Sequence, residues 1–507
     1  MQKNILEYLE ITAKHHSSKI AVIEGANTIT FENLINKAKQ LAQILILKND
    51  FKNEPIAVFL PKSIDSIISN IGITYSSNIY MNLDIKTPVE RIKNIIDLIK
   101  PKVIITNNQY LKLIKNIGTE DLIINIDEIN FDLSIETQLL LDRLDRGIDT
   151  DPLCIINTSG STGTPKGVVL NHKSFIDFTE WSIDTFNFSE QEIIGSLSPL
   201  VFDIYSFELC LLMAKGSTLL LIPDTLAAFP LKILNLLETH KTTFLFWVPT
   251  IMVNIANMDL LTNINLPALK TVWFAGEVFP TKQFNYWRGN LPEVLFANLY
   301  GPIEITLDCT YFIVNRDIND DEALPIGIPC KNTEILILND NNQLIQNGEE
   351  GELCVRGTSL AMGYYNNPEK TREAFVQNPL NKSYPETIYR TGDVVALNDL
   401  GEIIFKGRKD SLVKHLGYRI ELGEIEHVIV NTLKLAKNGC IVYNSLKKEI
   451  TLFYEAIKEI PLAYFRREIT TVLPKYMVPT VYIRMDELPR NTNGKIDRLQ
   501  LKNTLNL

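Results

Sequence analysis

Ten consecutive residues, Thr158-Ser159-Gly160-Ser161-Thr162-Gly163-Thr164-Pro165-Lys166-Gly167, contain only Gly, Ser, Thr, Pro and one Lys. They follow directly on the apolar run 153–157. Glycines let backbone N–H groups approach an anion closely, hydroxyls add donors, and the Lys supplies charge. This is the chemistry of a phosphate cradle. It is not a Walker A loop, because Pro165 stands where that motif needs Gly and Gly167 where it needs Ser or Thr. A second chemical residue is Asp203, within Leu200-Val201-Phe202-Asp203-Ile204-Tyr205-Ser206-Phe207. A carboxylate in so apolar a run is costly unless paired. It reads either as a helix N-cap or as the partner of a cationic group.

The elements that must position these residues are legible from hydrophobic periodicity. Runs at 103–106, 153–157, 218–222, 244–247 and 271–274 are continuously apolar, with helical patterns between them. Strands buried on both faces with intervening helices predict a parallel or mixed sheet covered on both sides. Thr87-Pro88-Val89-Glu90 predicts a helix start, with Thr87 as cap, Pro88 at the first helical position and Glu90 completing a capping box. After about residue 405 the pattern changes. Helices at 421–433 and 462–473 and strands at 439–443, 450–456 and 481–488 predict a compact α+β unit of about 100 residues.

Composition bounds the function. The 507 residues include 60 acidic and 50 basic side chains, for a net charge of −10. An acidic chain is a poor partner for nucleic acid or an anionic membrane. The six cysteines form no C-x-x-C pair and read as buried, reduced thiols. No H-x-x-x-H pair suggests a zinc hydrolase. The first 20 residues lack the apolar core of a signal peptide, and no run of about 18 uncharged apolar residues could cross a membrane. A cytoplasmic protein is expected.

Further segments occur in a fixed order: Asn298-Leu299-Tyr300-Gly301-Pro302-Ile303-Glu304, Gly351-Glu352-Leu353 through Gly363-Tyr364, Tyr389-Arg390-Thr391-Gly392-Asp393, Gly407-Arg408-Lys409-Asp410, 414–421, 473–479 and Asn493-Gly494-Lys495-Ile496-Asp497-Arg498. With the loop at 158–167, they make the chain resemble the adenylate-forming superfamily over nearly its whole length. Specifically, it resembles nonribosomal peptide synthetase adenylation domains and D-alanine–carrier protein ligases. The resemblance implies an α/β fold: a large N-terminal domain (1–408) of mixed sheets flanked by helices, and a small mobile α+β C-terminal domain (409–507).

It also implies a reaction in which a carboxylate attacks the α-phosphate of ATP, after which a thiol takes the acyl group. Lys166, with Thr158, Ser159, Gly160, Ser161, Thr162, Gly163 and Thr164, would hold the phosphates. Lys495 would stabilise the attack, a task suited to a movable point charge. Asn298, Tyr300 and Gly301 would contact the nucleotide, with Tyr300 stacked on adenine. Asp393, aided by Arg408, would take the ribose hydroxyls. Glu304 would bind Mg²⁺. Asp203 would hold the α-ammonium of an amino acid, in a side-chain pocket with Ile204, Phe207, Phe246, Trp273, Ala275, Leu299, Leu307 and Asp308. Three aromatics favour a small side chain, with serine first and alanine, glycine and proline beside it. Asp410 would be a hinge, and Gly417 would approach the thiol tunnel.

Ile303 departs from the family's usual Thr. Losing one such donor costs roughly 10²–10³ in rate if nothing compensates. Only 507 − 495 = 12 residues follow Lys495, which leads to the expectation of a stand-alone ligase loading a separate phosphopantetheinylated carrier protein. The alternatives are a D-alanine–carrier protein ligase, a small carboxylic acid–CoA ligase in which Asp203 is structural, and a weakened adenylation-like binding module. An aminoacyl-tRNA synthetase lacks support, since neither H-I-G-H nor K-M-S-K-S occurs.

Overall fold

A computed structural model describes residues 2–48, 50–117, 123–159, 165–346, 348–409, 412–456, 458–490 and 496–505. The chain groups into two compact units. One comprises 1–85, 101–156 and 168–409; the other comprises 86–100, 157–167 and 410–507.

In the first unit, the short apolar runs are strands. Val103–Thr106, Thr218–Leu221, Phe244–Trp247 and Thr271–Phe274 are buried at every position. Side chains alternate across a strand, so burial at every position means cover on both faces. A nine-stranded sheet has a parallel centre, in the order Leu295–Tyr300, Thr271–Phe274, Phe244–Trp247, Ile193–Ser196, Thr218–Leu221 and Ile20–Glu24. Its edges are antiparallel. A seven-stranded sheet carries Pro152–Thr158 beside Lys166–Asn171, the strands that flank the Gly/Ser/Thr loop. A five-stranded antiparallel sheet holds Glu350–Gly357, Thr387–Leu397 and Ile403–Arg408. Mixed α/β architecture is thus the fold expected from the sequence. All six cysteines are buried and free.

In the second unit, the hairpin Leu412–His415/Tyr418–Glu421 leads into the helix Leu422–His427 and a π-helical turn Val428–Thr432. Strands Asn438–Asn444, Glu449–Glu455 and Val481–Met485 form a small sheet. Ile425, Ile429, Ile441, Leu452, Phe465 and Ile469 lie in its core. The helix Val89–Ile99 groups with this unit, and a buried ion pair joins its Arg91 to Glu424. The predicted capping box at its start is not formed. Pro88, at ψ 141°, occupies the cap position outside the helix, and no side chain caps it. Because Pro88 itself is extended, the helix starts one residue on, at Val89.

Among the described residues, no helix is long and apolar enough to cross a membrane.

Candidate active site

Asp393 lies on the strand Thr387–Leu397, directly opposite Arg408 on Ile403–Arg408. The preceding backbone is fixed by Glu352. One Glu352 oxygen accepts from the Gly392 N–H at 3.1 Å; the other accepts from Arg390 Nη2 at 2.7 Å and lies 3.7 Å from Lys409 Nζ. Asp393 is buried. Its two oxygens accept from the Tyr300 hydroxyl and the Arg408 guanidinium. Arg408 also donates to the Thr391 carbonyl at 3.0 Å. Burial, reinforced by the Asp393 charge, pushes the Tyr300 phenol well above its usual range, so Tyr300 stays a donor. The result is an anchored carboxylate, which is a suitable acceptor for hydroxyls.

Tyr300 ends the strand Leu295–Tyr300, and the turn after it is tightly packed. A Cβ on Gly301 would lie 2.2 Å from the Leu307 carbonyl oxygen and 2.5 Å from the Asp308 Cα. No side chain fits there. The opposing segment is strained: Thr306 and Leu307 both have positive φ (54° and 67°) and both are buried. Such positions cost on the order of 1–3 kcal/mol each and cluster at functional sites. Within this turn Glu304 is fully buried and accepts from the Tyr364 hydroxyl at 2.8 Å. No group of three or more potential metal ligands occurs among the described residues. A lone carboxylate nevertheless fits Mg²⁺ that arrives bound to phosphates, because this ion keeps its waters and needs only one or two protein carboxylates. Asn298 is buried and donates to the Pro325 carbonyl at 2.7 Å, which positions the strand end.

The predicted pocket residues sit at or beyond the C-terminal ends of the parallel strands, the usual ligand edge of such a sheet. The helix Asp203–Lys215 supplies Asp203, Ile204 and Phe207. Phe246 and Trp273 are register partners. Trp273 stacks on Phe207 with centroids 5.4 Å apart and meets Phe246 edge-on at 5.3 Å. All three rings are fully buried. Ala275, Leu299, Leu307 and Asp308 are also buried. The N-cap reading of Asp203 is corrected. Phe202 takes the cap position, and Asp203 is the first helical residue, its Oδ1 accepting from the Ile204 N–H at 3.0 Å. The Cys154 thiol is pushed up to about 12, first by burial and further by the Asp203 charge.

In the second unit, Ser159 Oγ donates to the Arg419 carbonyl at 2.7 Å and accepts from the Glu421 N–H at 3.0 Å. Lys166 Nζ lies 3.8 Å from Glu421 Oε1. Thr158 ends its strand, and Gly417 makes the hairpin turn at φ 83°. Gly160, Ser161, Thr162, Gly163, Thr164, Asp410 and Lys495 lie outside the described residues. Sequence reasoning assigned no role to Glu352, Tyr364, Thr391 or Glu421, although each lies inside a quoted segment. Glu352, Tyr364 and Glu421 find their partners far along the chain, and Thr391 joins its near neighbour Asp393 to the distant Leu353, so local spacing could not reveal these ties.

The sequence profile of the AMP-binding enzyme family matches residues 9–365. Gramicidin S synthase 1 of Brevibacillus brevis is 30% identical over 502 residues, which cover 98% of this chain and 44% of that protein. Zwittermicin A synthase ZmaJ of Bacillus cereus is 30% identical over 487 residues, covering 95% and 91% respectively. Among solved structures, the Vibrio cholerae adenylation domain AlmE in complex with glycyl-adenosine-5'-phosphate superposes with a TM-score of 0.84 at 21% identity, covering 100% of this chain and 98% of that one. The anchored Asp393, the strained turn carrying Glu304 and the buried aromatic cluster lie in a chain that belongs to the AMP-binding enzyme family, the adenylate-forming superfamily, as an adenylating enzyme of the nonribosomal peptide synthetase type.

Proposed function

We propose that the chain activates a small amino acid with Mg·ATP, giving aminoacyl-AMP and pyrophosphate, and then passes the aminoacyl group to the phosphopantetheine thiol of a separate carrier protein. The observation that carries the amino acid assignment is Asp203. It places a carboxylate on the first turn of the helix that also bears Ile204 and Phe207. A carboxylate in that position matches an α-ammonium group through a charge-assisted hydrogen bond.

In the first half-reaction, a substrate carboxylate oxygen forms a bond to the α-phosphorus, and the bond to pyrophosphate breaks. Asp393 orients the ribose through its hydroxyls, with Arg408 and Tyr300 holding the carboxylate in place. Lys166 neutralises the leaving phosphates, and Lys495 bridges the attacking carboxylate and the α-phosphate. Glu304 holds the Mg²⁺ that ATP brings; when bound, that ion offsets charge developing on the phosphates. Residues 409–507 act as the mobile domain, turning about Asp410 so that the Gly417 segment serves the thiol step.

The buried rings of Phe207, Phe246 and Trp273 support a substrate with a small side chain, serine first, then alanine, glycine and proline. The glycyl adenylate bound by AlmE is consistent with such a choice.

The test is ATP–pyrophosphate exchange across the proteinogenic amino acids, D-alanine and β-alanine, with simple carboxylic acids as controls. Exchange with one or two amino acids is the expected result. D-Alanine alone would assign a D-alanine–carrier ligase, and simple acids alone would overturn the amino acid reading in favour of a CoA ligase. A second reading, a weakened binding module, is favoured by Ile303. Its side chain is partly buried against the main core where a hydroxyl is usual, and silence with every substrate would support it.

A further inference from the structure

The helix that carries Asp203 is tied down by a buried charged network with no part in the chemistry described so far. Glu208, one turn beyond Ile204, is fully buried. Its Oε2 accepts from Ser196 Oγ at 2.5 Å, whereas Oε1 has no hydrogen-bond partner. Ser196 ends the parallel strand Ile193–Ser196. From the other side, Lys62 donates to the Ser196 carbonyl at 2.9 Å and to the Ser198 carbonyl at 3.2 Å. The Lys62 side chain is only 4% exposed, and its Nζ lies 3.6 Å from Asp224. Ser198 Oγ in turn reaches the carbonyl of Phe246 at 3.5 Å, at the limit of a hydrogen bond. The network thus touches the helix that carries Phe207 and the strand that carries Phe246, two of the three rings in the buried aromatic cluster.

We propose that Glu208 is a positioning residue for substrate binding: as a carboxylate, held by Ser196 and facing Lys62, it sets the helix Asp203–Lys215 against the strand ends and so aims Asp203. This rests on the assignment of Asp203 to the substrate ammonium. The charged and titratable groups facing Glu208 are Lys62, Asp224 behind it, and Tyr205 on the same helix. Burial raises the Glu208 carboxyl to about 7, with Ser196 and Lys62 opposing that rise. The carboxylate is therefore present above neutral pH and lost below it. Protonation removes the attraction to Lys62 and loosens the anchor.

The experiment is pyrophosphate exchange at saturating ATP from pH 6 to pH 8.5, comparing the protein with Glu208→Gln and Lys62→Met. The expected result is an amino acid kcat/KM that falls as pH drops through neutrality. In Glu208→Gln this step should be absent and the value low throughout, by roughly tenfold at pH 8, less than the roughly 10²-fold that a full 1 Å misplacement can cost. The KM for ATP should be unchanged. In Lys62→Met the step should move to higher pH, because a group that lowers the Glu208 value has gone. Substrate ionisation is common to all three proteins and cancels. An unchanged pH step in Glu208→Gln, or an equal rise in the KM of ATP and amino acid, would overturn the inference while exchange itself upholds the proposed function. Absence of exchange with any amino acid would overturn both.

Discussion

Replacing Asp203 by Ala removes the carboxylate proposed to receive the substrate ammonium. A hydrogen bond to a charged group is worth about 1.5–3 kcal/mol. At 1.4 kcal/mol per factor of ten, kcat/KM for the amino acid should fall about 10- to 150-fold. The structural cost is smaller. Asp203 sits on the first turn, where an acidic side chain gains about 0.3–1 kcal/mol from the helix dipole, and its Oδ1 accepts from the Ile204 N–H. A loss of that size shifts Tm by no more than a few degrees in a chain this large. Fold and function are therefore separable. The assay is ATP–pyrophosphate exchange, read as kcat/KM for the amino acid and KM for ATP, beside a thermal melt. The desamino analogue, lacking the ammonium, should be a poor substrate for the unaltered protein and should lose little further with Asp203→Ala. Amino acid kcat/KM within about threefold of the unaltered protein would refute the argument, as would an equal loss for the desamino analogue.

Other perturbations address the remaining roles. Ile303→Thr should restore a donor beside the phosphates and raise kcat for exchange, with a ceiling of roughly 10²–10³ set by single donors of this kind; no gain would show that the site has compensated elsewhere. Lys495→Ala should abolish adenylation and leave the melting profile unchanged, and near-normal exchange would reject its assigned role. His172 is buried, with Nδ1 accepting from the Ile5 N–H at 3.4 Å, and burial pushes its imidazole down to about 4. The neutral ring therefore contributes stability that is fully present above the unfolded value of about 6.5. It is lost as pH falls toward 4, by about 3 kcal/mol in total. Urea midpoints at pH 7 and pH 5 should differ less in His172→Gln than in the unaltered protein; an equal pH dependence would exclude His172 as a source of acid lability.

Much of the architecture is local in origin and could be read from the chain. Phe244–Trp247 and Thr271–Phe274 are four-residue apolar runs, too short for helices, so their assignment as buried strands needed no tertiary information. The reverse held at Thr87-Pro88-Val89-Glu90, where the residue types permitted a capping box but the backbone of Pro88 started the helix one residue later. Asp203 was visible as an anomaly because a charge in an apolar run demands an explanation wherever it falls. Whether it capped the helix or lay within its first turn depended on the path of Phe202, which residue types do not specify.

What the sequence determined by itself was the inventory: a phosphate-type loop, an acidic residue in an apolar run, and an ordered set of segments marking the adenylating family. These are statements about residue identity and short-range order. What only the tertiary structure decided was partnership. Tyr300 and Arg408 meet on Asp393, Tyr364 meets Glu304, and Glu352 holds Gly392 across two antiparallel strands. The Glu208–Ser196–Lys62 network ties Lys62 to a consecutive strand and helix that begin more than 130 residues further along the chain. Sheet register and helix packing bring these pairs together, and the energy of a buried charge depends on such partners rather than on its neighbours in sequence.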